Sequence, residues 1–130
     1  MTCFWDGIIQ SLNNDEKNIL NLKDNNIYSL IEILKEKNCE TKNIKWQESE
    51  LSNQLIKENI QFIKEYNKDS AKNGYLCSTC DPFLLLLSFL LNTDIIHNYD
   101  GNVINYKYEK SLKKKYFKSN KSHFWFEKSS

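Results

Sequence analysis

No charge of one sign dominates this chain. Its 130 residues hold 18 basic and 17 acidic side chains, a formal net charge of +1. Such balance excludes a global field that would draw in nucleic acid or an anionic membrane. Long apolar runs are also missing. The longest, "FLLLLSFLL" at residues 83–91, is about half the length a membrane crossing needs. The first residues lack a basic stretch followed by an apolar one, so no secretion signal is read there. Four cysteines (Cys3, Cys39, Cys77 and Cys80) are too sparse for a disulfide framework, and reduced thiols are the expectation. Glycine, proline and alanine are scarce while asparagine, lysine and isoleucine abound, which reads as the bias of an AT-rich genome. No repeat or low-complexity tract is visible. What remains is an ordinary globular balance, 40% hydrophobic and 27% charged. That predicts one soluble, intracellular domain over residues 1–130.

Apolar spacing organises the first half as helices. Ile8, Ile9 and Leu12 recur at helical intervals after Phe4 and Trp5. "NNDEKN" breaks the pattern. Ile27, Leu30, Ile31 and Leu34 restore it, and "CETKN" reads as a loop. "IKWQ" suits a short extended piece, with Trp46 expected to pack between helices. A third helix is predicted over "ESELSNQLIKENIQFIKEY", its inward face Leu51, Leu55, Ile56, Ile60 and Ile63. Then comes the strongest helix start. Asp81 suits an N-cap and Pro82 the first turn, followed by residues apolar on every side. This predicts a buried central helix.

The texture then changes to strands. "DIIHNY" and "NVINYKY" flank Asp100-Gly101, a strong hairpin signal. "KYFKS" and "HFWFE" follow, joined by a turn at "NKS". Helices first and strands last predict an α+β domain with a mostly antiparallel C-terminal sheet.

Cys3 is the first residue with chemistry. It stands at a predicted helix start, where unpaired N–H groups and the helix dipole favour a thiolate. A cysteine nucleophile needs a base, usually histidine. The chain has two, His97 in the first hairpin strand and His123 at the head of the last. An early helix-start cysteine with a late strand-start histidine is the layout of papain-like hydrolases. The competing reading is a buried thiol and a solvated turn histidine.

Three segments, in order, resemble the ovarian-tumour (OTU) family of cysteine proteases, which mostly remove ubiquitin or ubiquitin-like proteins. "TCFWDGI" is similar to the family's nucleophile segment. "NGYLCSTCDPFLLLLSFLLNTDIIHNYDGNVINY" resembles its central loop, helix and two strands. "SNKSHFWFE" resembles its histidine segment, and "KENIQFIKEY" the helix before the central block. The resemblance is closest to compact OTU-like proteins of large DNA viruses. It implies an OTU-like, papain-type fold and a cysteine isopeptidase, with Cys3 as nucleophile, His123 as general base and no cofactor. It implies ubiquitin or a ubiquitin-like protein as partner, and host cytoplasm or a virion as location. It puts Cys80 and Asp81 in a substrate-side loop, and Trp5 and Trp125 along a channel for an extended tail. Core packing is the competing reading for both, and the stronger one for Trp5.

Two departures matter. The acidic and glycine- or asparagine-containing loop that family members carry before the cysteine is replaced by Met1 and Thr2. The orienting Asp or Asn two residues after the histidine is replaced by Trp125, whose N–H accepts no hydrogen bond. Glu127 shares that strand face but lies roughly 13 Å beyond His123. Asn120, Asp81 and Asp6 are the other candidates. The alternative is therefore a weak or inactive relative with a binding or structural role. Cys77 and Cys80 have zinc-ligand or redox spacing without a second pair, so a structural loop is expected and no metal. The basic run "KSLKKKYFKSNK" reads as a solvated edge strand rather than a nucleic-acid site.

Overall fold

The computed structural model describes residues 3–69, 82–109, 111, 113–120 and 123–127. Five α-helices and six strands are assigned among them: α1 (Cys3–Ser11), α2 (Asn14–Leu20), α3 (Ile27–Glu36), β1 (Ile44–Trp46), β2 (Ser49–Glu50), α4 (Asn53–Glu65), α5 (Pro82–Leu91), β3 (Thr93–Tyr99), β4 (Asn102–Tyr108), β5 (Lys113–Ser119) and β6 (Phe124–Glu127). The class is α+β, as expected. The strands form one sheet in the order β2-β1-β4-β3-β5-β6. It is mixed: β3 and β5 run parallel and the other four pairings are antiparallel.

The parallel pair comes from a short crossing. β4 ends beside the start of β3, and the chain passes that end to begin β5 on β3's other side. Asp94 anchors the crossing. Its Oδ1 accepts from the Tyr108 N–H at 3.0 Å and from the Ser111 hydroxyl. One sheet face carries the buried Ile95, Tyr106, Phe117 and Phe124. The opposite face carries Lys114, Tyr116, Lys118 and Trp125, all exposed or half-buried. α5 packs on β3 and β4, α1 packs on β6, α2 and α4 pack on α5, and α3 packs on α1 and α4. Pro82 through Ser88 are buried without interruption, so α5 is the central helix its all-round apolarity predicts.

Several expectations give way. "NNDEKN" is helical. Asn13 caps α2: its Oδ1 accepts from the Glu16 N–H at 2.8 Å, while Glu16 Oε1 accepts from the Asn13 N–H at 3.0 Å. This reciprocal pair satisfies two otherwise orphaned donors. The predicted third helix starts later, with Ser52 as its cap, because residues 44–50 form the β1–β2 hairpin instead. Trp46 accordingly packs on the core from a strand, not between helices. The basic run is no edge strand either. β5 lies between β3 and β6, and Lys113 and Lys115 turn to the helical side to meet the buried Glu16. The expectations for Cys77, Cys80 and the Asp81 cap lie outside the described residues.

Candidate functional site

The head of β6 is built by the turn before it. The His123 N–H donates to Asn120 Oδ1 at 2.9 Å, and the Asn120 N–H donates to the His123 carbonyl at 2.9 Å. Asn120 thus holds the backbone of His123, whereas sequence reasoning offered it as a partner for the ring. From there β6 alternates. Phe124 turns toward α1, and His123 and Trp125 turn to the other side of the strand.

α1 is pressed against this strand. Its glycine is what allows it: a Cβ on Gly7 would stand 3.0 Å from Cδ1 of Phe124 and 3.5 Å from the Phe126 nitrogen. One turn earlier, the Phe4 ring meets the Phe124 ring with centroids 4.7 Å apart. Phe4 directly follows Cys3 and Phe124 directly follows His123. The fold therefore sets the first residue of α1 beside the head of β6, although more than a hundred residues separate them. Cys3 opens the helix, where backbone N–H groups lack intrahelical acceptors. Its side chain lies outside the description. Asp6, in the first turn, is exposed.

Trp5 does not line a channel. Its indole is 1% exposed and packs edge-on against Phe83 at 4.8 Å. Its N–H donates to the Tyr66 hydroxyl at 3.1 Å. A buried tryptophan needs such an acceptor, and here it joins α1 to the residue that ends α4. Trp125 is half-buried and stacks on His123, centroids 5.3 Å apart and planes 22° from parallel. Its indole N–H donates to Glu127 Oε2 at 3.3 Å. Glu127 Oε1 in turn pairs with the Lys118 ammonium at 3.2 Å. His123 itself is exposed.

The second histidine has a different character. His97 is 8% exposed, on the helical side of β3. Its Nε2 lies 2.6 Å from the Ser119 hydroxyl, and its ring sits 5.3 Å from that of Phe124. Nδ1 is buried with no hydrogen-bond partner. Burial pushes its pKa down to about 4, so the ring is neutral near pH 7. Alternation of β3 and β5 brings His97 and Ser119 together, a contact sequence reasoning missed because their separation carries no local signal.

Of the cysteines, Cys39 is half-buried, and burial with the nearby Glu40 pushes its thiol pKa up. That disfavours the thiolate a nucleophile needs. Among the described residues no group of three or more His, Cys, Asp or Glu side chains could hold a metal ion. No described helix is long and apolar enough to cross a membrane. No family model, no curated protein and no solved structure matches this chain.

Proposed function

We propose that this chain is an OTU-like cysteine isopeptidase acting on ubiquitin or a ubiquitin-like modifier. The observation that carries the reading is the Phe4–Phe124 contact at 4.7 Å, which draws the start of α1 and the head of β6 together. The close approach at Gly7 supports it. The three segments of family resemblance supply the chemistry. The Cys3 thiolate adds to the isopeptide carbonyl, His123 passes a proton to the leaving lysine amine, and water then hydrolyses the thioester. The Cys3 N–H, at the helix start, is a donor for the developing oxyanion.

A second reading is a non-catalytic protein of the same architecture with a binding or structural role. One observation favours it: His123 turns, with Trp125, to the side of β6 away from Phe4. The experiment that separates the two is incubation with ubiquitin carrying a C-terminal electrophile. The isopeptidase reading expects a covalent adduct that Cys3→Ala abolishes. Ubiquitin binding without an adduct supports the second reading, and an adduct that survives Cys3→Ala removes Cys3 as nucleophile.

A further inference from the structure

The base of a thiol hydrolase needs a ring held in one plane with a nitrogen left free to take the proton. Such a ring is commonly held by a hydrogen bond to one nitrogen. Around His123 that device is missing among the described residues. Asn120 binds its backbone, and the residue two places on is an indole with no acceptor. The imidazole is instead laid flat on the Trp125 ring, 5.3 Å between centroids at 22°. The indole is itself fixed. Glu127 takes the Trp125 N–H on one carboxylate oxygen and the Lys118 ammonium on the other. Lys118 stands directly across from Trp125 on β5, so the chain of contacts closes between two paired strands.

We propose that Trp125 is the positioning residue for His123, a ring-on-ring support held in place by Glu127 and Lys118. This rests on the isopeptidase reading above. Stacking fits the task in one respect that a hydrogen bond does not. It uses the face of the imidazole and makes no demand on either ring nitrogen, in a residue that is exposed. It also explains how a chain with tryptophan where an acceptor is expected keeps an ordered base. The exposure of His123 makes this support necessary, because nothing else described encloses the ring.

The test has two readouts on the full chain. The first is NMR of the histidine ring protons, with buried His97 as an internal reference. In the parent protein the His123 protons should lie upfield, displaced by the indole ring current. Trp125→Ala should remove that displacement and leave the His97 signals in place, whereas Trp125→Phe should keep most of it. Movement of both histidines on Trp125→Ala would report a general structural role and overturn the proposal. So would His123 signals that do not move.

The second readout is the rate of Cys3 adduct formation with the ubiquitin electrophile. Trp125→Ala should slow it about 10- to 100-fold, the scale expected for a misplaced catalytic group. Glu127→Ala should fall between that variant and the parent, and Trp125→Phe should recover most of the rate. An unchanged or faster rate in Trp125→Ala overturns the proposal, a faster one meaning that the stack parks the ring. A parent protein that never forms the adduct, with the ring signature intact, instead overturns the isopeptidase reading and the catalytic role built on it.

Discussion

Protonating His97 would make donors of both ring nitrogens, and no acceptor is within reach of the buried Nδ1 among the described residues. Folding therefore holds the imidazole neutral, with its pKa lowered by burial to about 4 against an ordinary value near 6.5. The sign follows directly. Below about pH 6.5 the unfolded chain takes up a proton at this position and the folded chain does not, so stability falls as pH drops toward 4. Full development of that difference is about 3 kcal/mol. Urea midpoints between pH 7 and pH 5 should therefore decline, and His97→Gln should flatten the decline. A parent midpoint constant across that interval would contradict the assignment. At this scale the sequence was uneven as a guide. It placed Cys3 at a helix start and His123 at the head of a strand, and the fold has them there. It could not mark the Ser119 contact of His97, which arises from the parallel pairing of β3 with β5. It favoured the core for Trp5, which is buried, but gave no means of telling that Trp125 would be left half-open.

The elements most legible in advance were those with strong local chemistry. α5 was visible from Pro82 and an unbroken apolar run. The β3–β4 turn was visible from Asp100-Gly101, which take φ values of 48° and 93°. The β1–β2 hairpin was not visible, and its turn shows why. Gln47 and Glu48 both take positive φ, 52° and 66°, a geometry normally supplied by Asn-Gly. Long-range bonds hold Gln47 there: its N–H donates to the Asn105 carbonyl at 3.0 Å and its side chain accepts from the Asn105 N–H at 3.0 Å. Its amide also donates to the Val103 carbonyl at 3.2 Å, so one glutamine side chain extends the pairing of β4. Tertiary contacts thus override poor turn residues. Among the described residues Glu48 makes no such ties, and Glu48→Gly should stabilise the protein by about 1 kcal/mol by relieving left-handed strain. A thermal midpoint that rises in Glu48→Gly checks it. α2 was also overlooked, because its signal is a capping pair, Asn13 with Glu16, and not an apolar stripe.

At the scale of the whole molecule, helices and sheet are tied by one buried carboxylate. Glu16 is 1% exposed and receives Lys115 at 2.7 Å and Lys113 at 3.4 Å from β5. Burial alone would raise its pKa. The Lys115 ammonium, the Asn13 N–H and the Lys113 charge outweigh that and hold the carboxyl below the ordinary range. Glu16→Gln would leave the mostly buried Lys115 without its counter-charge and weaken the cap of α2. The expected loss is about 1.5–3 kcal/mol in chemical unfolding. Lys115→Met in the same background should recover part of it, since an apolar side chain tolerates the site better than an unpaired ammonium. The sequence showed these lysines as a surface run, because their alternation across β5 becomes meaningful only when α2 is known to lie over one face.

The contact between α1 and β6 also orders events during synthesis. At ordinary translation rates of 5–20 residues per second, the last strand leaves the ribosome roughly ten seconds after the first helix. Through that interval Phe4 has no Phe124 to lean on, so the nascent helix waits with its sticky side uncovered. A nascent chain stalled before residue 124 should therefore be a client for chaperones, and the start of α1 should acquire its final surroundings only once β6 has emerged.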